Sequence, residues 1–170
     1  MIPTKEEWLN ALEKRHGIKL QNAFSASAVA ICGLGGLGSN IAISLAREGV
    51  GKLILVDYDR VDISNLHRQQ YKVSQIDMYK TDAIRETLEE IAPYVELETY
   101  TIRLTEENAK NILRNAHVVC EAFDDAEEKS MLANIVLSQM KDKYLVSSSG
   151  MAGLGSGNKI HTRRITSKFY

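Results

Sequence analysis

The chain of 170 residues is 44% hydrophobic and 25% charged, long enough for one α/β domain with its own core and short for two. Its formal net charge of -1 sets up no field that would draw nucleic acid or an anionic membrane, and only Arg163–Arg164 comes close to a local basic cluster. No apolar run reaches the ~18 residues that a membrane span requires, and the opening MIPTKEEWLN lacks the apolar core of a signal peptide.

Thr4 and Glu7 make a capping box and Gly17 a stop signal, which predicts a helix over Lys5–His16. A short polar stretch leads to Ala28–Cys32 (AVAIC), a fully apolar strand. The loop Gly33-Leu34-Gly35-Gly36-Leu37-Gly38 follows, and an apolar-periodic helix over Leu37–Glu48 ends at Gly49. Lys52–Val56 (KLILV) reads as a second buried strand. A helix over Thr81–Ile91 stops at Pro93, and Val95–Ile102 alternates like a strand nearer the sheet edge. Thr105–Arg114 reads as a helix, His117–Ala122 as another apolar strand, and Asp125 with Glu128 as the cap of a helix reaching Met140. Tyr144–Ser148 makes a fifth strand. Cys32 and Cys120 both fall inside apolar strands, which argues against a disulfide framework and for a reducing cytoplasm.

Strands alternating with helices of this length imply βαβ units. The predicted fold is therefore α/β, a doubly wound, mostly parallel, Rossmann-like sheet with helices on both faces and ligands at the carboxyl ends of the strands. After Ser149 the glycine-rich GMAGLGSGN has no helix behind it, and Lys159–Ile165 alternates like one more strand. The chain stops at Tyr170 before anything could pair with that strand, so it is expected to be part of a longer enzyme.

The glycine loop lies directly after a strand and opens a helix. Bare backbone there turns tightly and brings amides close to a phosphate at the helix start. Asp57 closes the next strand, nineteen residues after Gly38, placed to accept hydrogen bonds from ribose hydroxyls. These features alone indicate a nucleotide, and a bare G-x-G-x-x-G with an acidic strand end favours a dinucleotide. The following segment shifts the reading. Asn65, Arg68 and Lys80 add hydrogen-bonding and cationic groups around the same strand ends, as a triphosphate and a transition state of growing charge would require. Asp124, just past the His117–Ala122 strand, faces the same crevice and is the candidate Mg²⁺ ligand, while Asp125 reads as the helix cap.

GLGGLG, then LVDYDRVDISNLHRQ, then a lysine opening the next helix and an acidic residue ending the fourth strand resemble the ubiquitin-activating-enzyme superfamily, including the ThiF-like and MoeB-like enzymes. The resemblance covers about Ala28 to Met140, and its most specific element is SNLxRQ, here Ser64–Gln69. The late GMAGLGSGNKIHT segment resembles, as a weaker match, the shorter ThiF enzymes of anaerobic bacteria, and on that resemblance alone thiamine biosynthesis is the expected pathway.

The resemblance implies an adenylyltransferase that uses ATP and Mg²⁺ to adenylate the C-terminal glycine of a ubiquitin-like sulfur carrier protein ending in Gly-Gly, within a homodimer. It implies an N-terminal helical segment over residues 1–27 and an ATP-binding domain over 28–170, C-terminally incomplete. Carried over residue by residue, Gly33, Gly35, Gly36 and Gly38 form the phosphate loop and Asp57 holds the ribose. Asn65 and Arg68 meet the β/γ phosphates, Lys80 the α-phosphate and Asp124 the metal, while Asp59 and Gln69 support the loop from behind. Where the family has an arginine five residues beyond the metal aspartate, this chain has Lys129, which keeps that contact as a point charge. No CxxC pair is present and no cysteine lies downstream of Cys120, so zinc is not expected and sulfur transfer has no visible residue. Arg15, the candidate to reach a partner subunit's site, reads better as a cation at a helix C-terminus. A tRNA threonylcarbamoyladenosine dehydratase, an NAD-dependent oxidoreductase and a non-catalytic carrier-binding module are the competing readings.

Overall fold

Four apolar runs and one alternating stretch along the chain become parallel strands in the computed structural model, which describes residues 2–149 and 161–170. Strands β1 (Ala28–Cys32), β2 (Lys52–Asp57), β3 (Glu96–Thr101), β4 (Val118–Glu121) and β5 (Tyr144–Ser147) lie in the order β3-β2-β1-β4-β5. This order follows from two right-handed windings that start from β1 and proceed in opposite directions. In register, Cys32 lies opposite both Val56 and Glu121, so the carboxyl ends of the three central strands finish together. The expected α/β doubly wound fold is the one observed, with β3 at an edge and its residues only half-buried.

Among the described residues, six α-helices accompany the strands: α1 (Lys5–His16), α2 (Ile18–Ser25), α3 (Gly38–Arg47), α4 (Lys80–Ile91), α5 (Glu106–Ile112) and α6 (Ala126–Gln139). Because successive strand residues face opposite sides, Val29, Ile31, Leu53 and Leu55 pack under α3 and α4 against Ala42, Ala46, Ile84 and Leu88. Ala30, Ile54, Val56, Val119 and Leu145 face the other way, against Ile112 of α5 and Leu132, Ile135 and Val136 of α6. Burial on both faces is why the central strands read as continuous apolar runs. Each fully buried leucine or isoleucine contributes about 1.5–3 kcal/mol relative to an exposed one.

Two parts of the chain differ from expectation. The segment after Gly17 is a helix, α2, although it reads as a polar stretch. Its apolar Ile18 and Leu20 stay exposed, and the buried residue is Gln21. Gln21 Nε2 donates to the carbonyls of Glu48 and Gly49, which fixes the N-terminal helices to the end of α3. The second difference is at the C-terminus. Of the expected strand Lys159–Ile165, residues 159 and 160 lie outside the described residues, as does GMAGLGSGN, and residues 161–165 form no strand. Instead, Lys168–Tyr170 pair with β5. Leu145 N–H donates to Lys168 O at 2.8 Å, Tyr170 N–H to Leu145 O at 3.0 Å and Ser147 N–H to Tyr170 O at 2.9 Å, with Phe169 seated on the α5–α6 core.

Candidate functional site

The glycine loop leaves β1 at Gly33, where φ is +91° and a Cβ would stand 2.8 Å from Ala122 O. At Gly38 a Cβ would meet Gly33 O at 1.8 Å. These two glycines are demanded by the chain's own packing. Gly35 and Gly36 are not. A Cβ on Gly35 would come no nearer than 3.8 Å to Gln69 Nε2, and one on Gly36 would touch only the Arg68 stem at 3.4 Å. Among the described residues, no protein acceptor meets the Gly35 or Gly36 N–H, and no side chain caps the start of α3. Bare backbone, free amides and an uncapped helix start together form a cradle that suits a phosphate.

Asp57 closes β2 beside this loop. Its Oδ2 accepts from Leu34 N–H at 2.6 Å and its Oδ1 from Asp59 N–H at 2.8 Å. Burial pushes its carboxyl pKa up, against the lowering pull of the Lys80 charge and the two amides. Each oxygen keeps a lone pair for a sugar hydroxyl. Lys80, the first residue of α4, is buried, and its Nζ donates to Asp59 Oδ2 at 2.8 Å. Asp59 is half-exposed, so its role is to hold the amine in place from the solvent side.

The loop between β2 and α4 carries Asn65, Arg68 and Gln69. Asn65 ends a single 3-10 turn, where its Oδ1 accepts from Asp62 N–H. Arg68 is exposed, with its aliphatic stem across Gly36 and Nη1 donating to Ser64 O at 3.3 Å. Gln69 is buried, and its Oε1 is the one buried side-chain polar atom without a partner among the described residues. The Gln69 atom nearest a Gly35 Cβ would be Nε2, at 3.8 Å, so the amide nitrogen is the group that faces the cradle, while the orphaned oxygen is an acceptor that only a donor would satisfy. The loop is stapled to α3 by Asn40 Nδ2 donating to Arg68 O, Gln70 Nε2 to Asn40 Oδ1 and Gln70 N–H to Ser39 Oγ. Tyr71, buried, donates its hydroxyl to Leu34 O at 2.7 Å. Ser39, Asn40 and Tyr71 were not singled out by sequence. Only their nearness to the two motifs marks them.

Asp124 is exposed just beyond Phe123, whose ring lies against Gly33, and no hydrogen bond engages its carboxylate among the described residues. Asp125 instead caps α6, accepting from Glu127 N–H and Glu128 N–H at 2.9 Å. Glu128 turns away from the cap to pair with Arg103. An unengaged carboxylate beside the phosphate cradle fits Mg²⁺, which typically takes one or two protein carboxylates and completes its shell with phosphates and water.

Lys129 departs from the expectation. Its Nζ stands 3.1 Å from both oxygens of the fully buried Glu121 and 3.1 Å from Ser148 O. Glu121 also accepts from Phe123 N–H and Ser147 Oγ–H. Withdrawing Lys129 to meet a phosphate would leave a buried carboxylate unpaired, at about 3–5 kcal/mol. Arg15 sits in the exposed last turn of α1 with Lys14 and His16.

Cys32 and Cys120 are both buried free thiols. Burial, with Cys120 and Glu121 nearby, drives the Cys32 pKa far upward, and burial pushes Cys120 up to about 11. Glu121 thus acts on Cys32 rather than on its own neighbour. Neither thiol supplies a thiolate near neutral pH. Cys32→Ala and Cys120→Ala, alone or together, are expected to keep the activity proposed below and to leave no covalent enzyme adduct after denaturation. A hydroxylamine-labile or reducible adduct that disappears with either change would contradict this.

Comparison with known proteins agrees with this geometry. The profile of the ThiF family matches residues 9–167. The adenylyltransferase and sulfurtransferase MOCS3 of Dictyostelium discoideum is 35% identical over 136 residues, 79% of this chain and 32% of that protein. The adenylyltransferase and sulfurtransferase UBA4 of Scheffersomyces stipitis is 34% identical over 139 residues, 81% of this chain and 30% of that one. The chain therefore spans about a third of the length of the curated relatives it matches. Among solved structures, the E. coli tRNA N6-threonylcarbamoyladenosine dehydratase TcdA in complex with ATP superposes with a TM-score of 0.83 at 23% identity, covering 94% of this chain and 66% of that one. E. coli MccB with ATP gives 0.68 at 20% identity, over 87% and 47%. With its SNLxRQ loop stapled to a glycine cradle on a 3-2-1-4-5 parallel sheet and a family match over nearly its whole length, the chain belongs to the ThiF family.

Proposed function

We propose that the chain catalyses ATP-dependent adenylation of a carboxylate, and that the substrate is the C-terminal glycine of a ubiquitin-like sulfur carrier protein. The observation that carries this reading is Lys80. A lysine buried at the first turn of a helix sits where the helix dipole repels it. Its one carboxylate partner, Asp59, is half in solvent. That placement makes physical sense when the amine faces an anion such as the α-phosphate.

In this reaction the carrier carboxylate, already ionised at neutral pH, attacks the α-phosphorus of ATP. The new bond is carboxylate oxygen to α-phosphorus, the bond that breaks is α-phosphorus to bridging oxygen, and the electron pair leaves with pyrophosphate. No general base is needed, so the residues position the substrates and stabilise charge. The amides of Gly35 and Gly36 with Asn65 and Arg68 hold the β/γ phosphates, Lys80 meets the α-phosphate, and Asp57 accepts from the ribose. Asp124 would hold Mg²⁺, which when bound neutralises phosphate charge.

The pathway we favour is thiamine biosynthesis, supported by the late-segment resemblance alone, in a reducing cytoplasm and as a homodimer. Among the described residues no helix is long and apolar enough to cross a membrane. The test is ATP–pyrophosphate exchange with and without a ubiquitin-like protein ending in Gly-Gly. Exchange that depends on the carrier supports the proposal. Exchange stimulated by tRNA instead would shift it to the dehydratase reading, NAD binding without ATP binding to an oxidoreductase, and carrier binding without turnover to a recruiting module.

A further inference from the structure

The geometry points to Tyr71 as a positioning residue that aims the phosphate-binding amides of the glycine loop, an inference resting on the nucleotide reading above. Leu34 is held at both of its main-chain polar groups. Its N–H donates to Asp57 Oδ2 at 2.6 Å, and its C=O accepts from the Tyr71 hydroxyl at 2.7 Å. The Leu34 carbonyl shares a planar trans peptide with the Gly35 N–H, so the two point in opposite directions. Fixing the carbonyl toward Tyr71 therefore fixes the Gly35 N–H away from it, toward the side where no protein acceptor awaits. Glycine offers no side-chain resistance to a peptide flip at this point, so the orientation depends on the two hydrogen bonds. Tyr71 is also the residue that ends the SNLHRQQY run. The one hydroxyl thus couples the loop bearing Asn65, Arg68 and Gln69 to the cradle those residues are meant to serve.

Tyr71→Phe keeps the buried ring and removes only the donor, leaving the Leu34 carbonyl in a fully buried site without a partner. Affinity should then fall with phosphate content. ATP and inorganic tripolyphosphate are expected to bind about five- to tenfold more weakly, the worth of one buried hydrogen bond, while adenosine binds as before. A merely structural role would weaken adenosine equally, and that result, or unchanged tripolyphosphate affinity, overturns the assignment. Loss of tripolyphosphate affinity in a chain that never binds ATP would leave Tyr71 in place and remove the adenylation reading. Should the variant fail to fold, the unaltered chain still decides the matter. Adding tripolyphosphate must shift the Gly35 backbone amide resonance, and an unmoved resonance overturns the inference.

Discussion

Asp124→Ala is expected to lower carrier-dependent pyrophosphate exchange by ~10²-fold or more, the scale set by removing one charge-stabilising group, without moving the unfolding midpoint. The reason lies in the contrast between two adjacent aspartates. Asp124 is exposed beside the glycine cradle, and its carboxylate makes no hydrogen bond among the described residues. Its removal therefore costs the fold nothing. Asp125 satisfies two amides at the start of α6. Asp125→Ala should cost about 1 kcal/mol of stability and little of the exchange rate. Nucleotide binding read by calorimetry provides a second measurement: Mg²⁺ should tighten ATP binding to the wild type and have far less effect on Asp124→Ala. Wild-type exchange in that variant at saturating Mg²⁺ would remove Asp124 from the site.

The architecture was legible because a parallel sheet buries its central strands on both faces, and AVAIC and KLILV announce this without ambiguity. Helix ends were legible where side-chain chemistry marks them, as at Thr4 with Glu7 and at Asp125. What escaped is structure held by polar groups that meet only in the fold. Nothing in IKLQNAFS marks α2, because the residue that anchors it is a glutamine bonded to carbonyls 27 and 28 residues away. The pairing of Lys168–Tyr170 with β5 rests on main-chain bonds, which carry no side-chain signature. Glu121 sits among apolar strand residues, and its partner Lys129 was assigned to the nucleotide by resemblance. A motif match locates a residue type at a position. It does not reveal a competing buried carboxylate eight positions earlier in the sequence.

Lys80→Met and Arg68→Ala should separate two kinds of phosphate contact. Both are expected to slow adenylation more than they weaken ATP binding, because charge on the phosphates grows toward the transition state. Lys80→Met should have the larger effect, ~10²- to 10³-fold in kcat, since its amine acts in a buried, low-dielectric setting where a fixed charge is most effective. The fold should tolerate the change: Asp59, the partner left behind, is 53% exposed and regains water. Arg68 acts from an exposed position across Gly36. Its charge is screened, and its value lies in the planar fork. Arg68→Lys, which keeps the charge and loses the fork, should therefore remain impaired. Steady-state kinetics in ATP decide the matter. If both alanine or methionine variants raise only KM and leave kcat intact, the two cations bind ground-state ATP and transition state equally, and the catalytic role assigned to them is wrong.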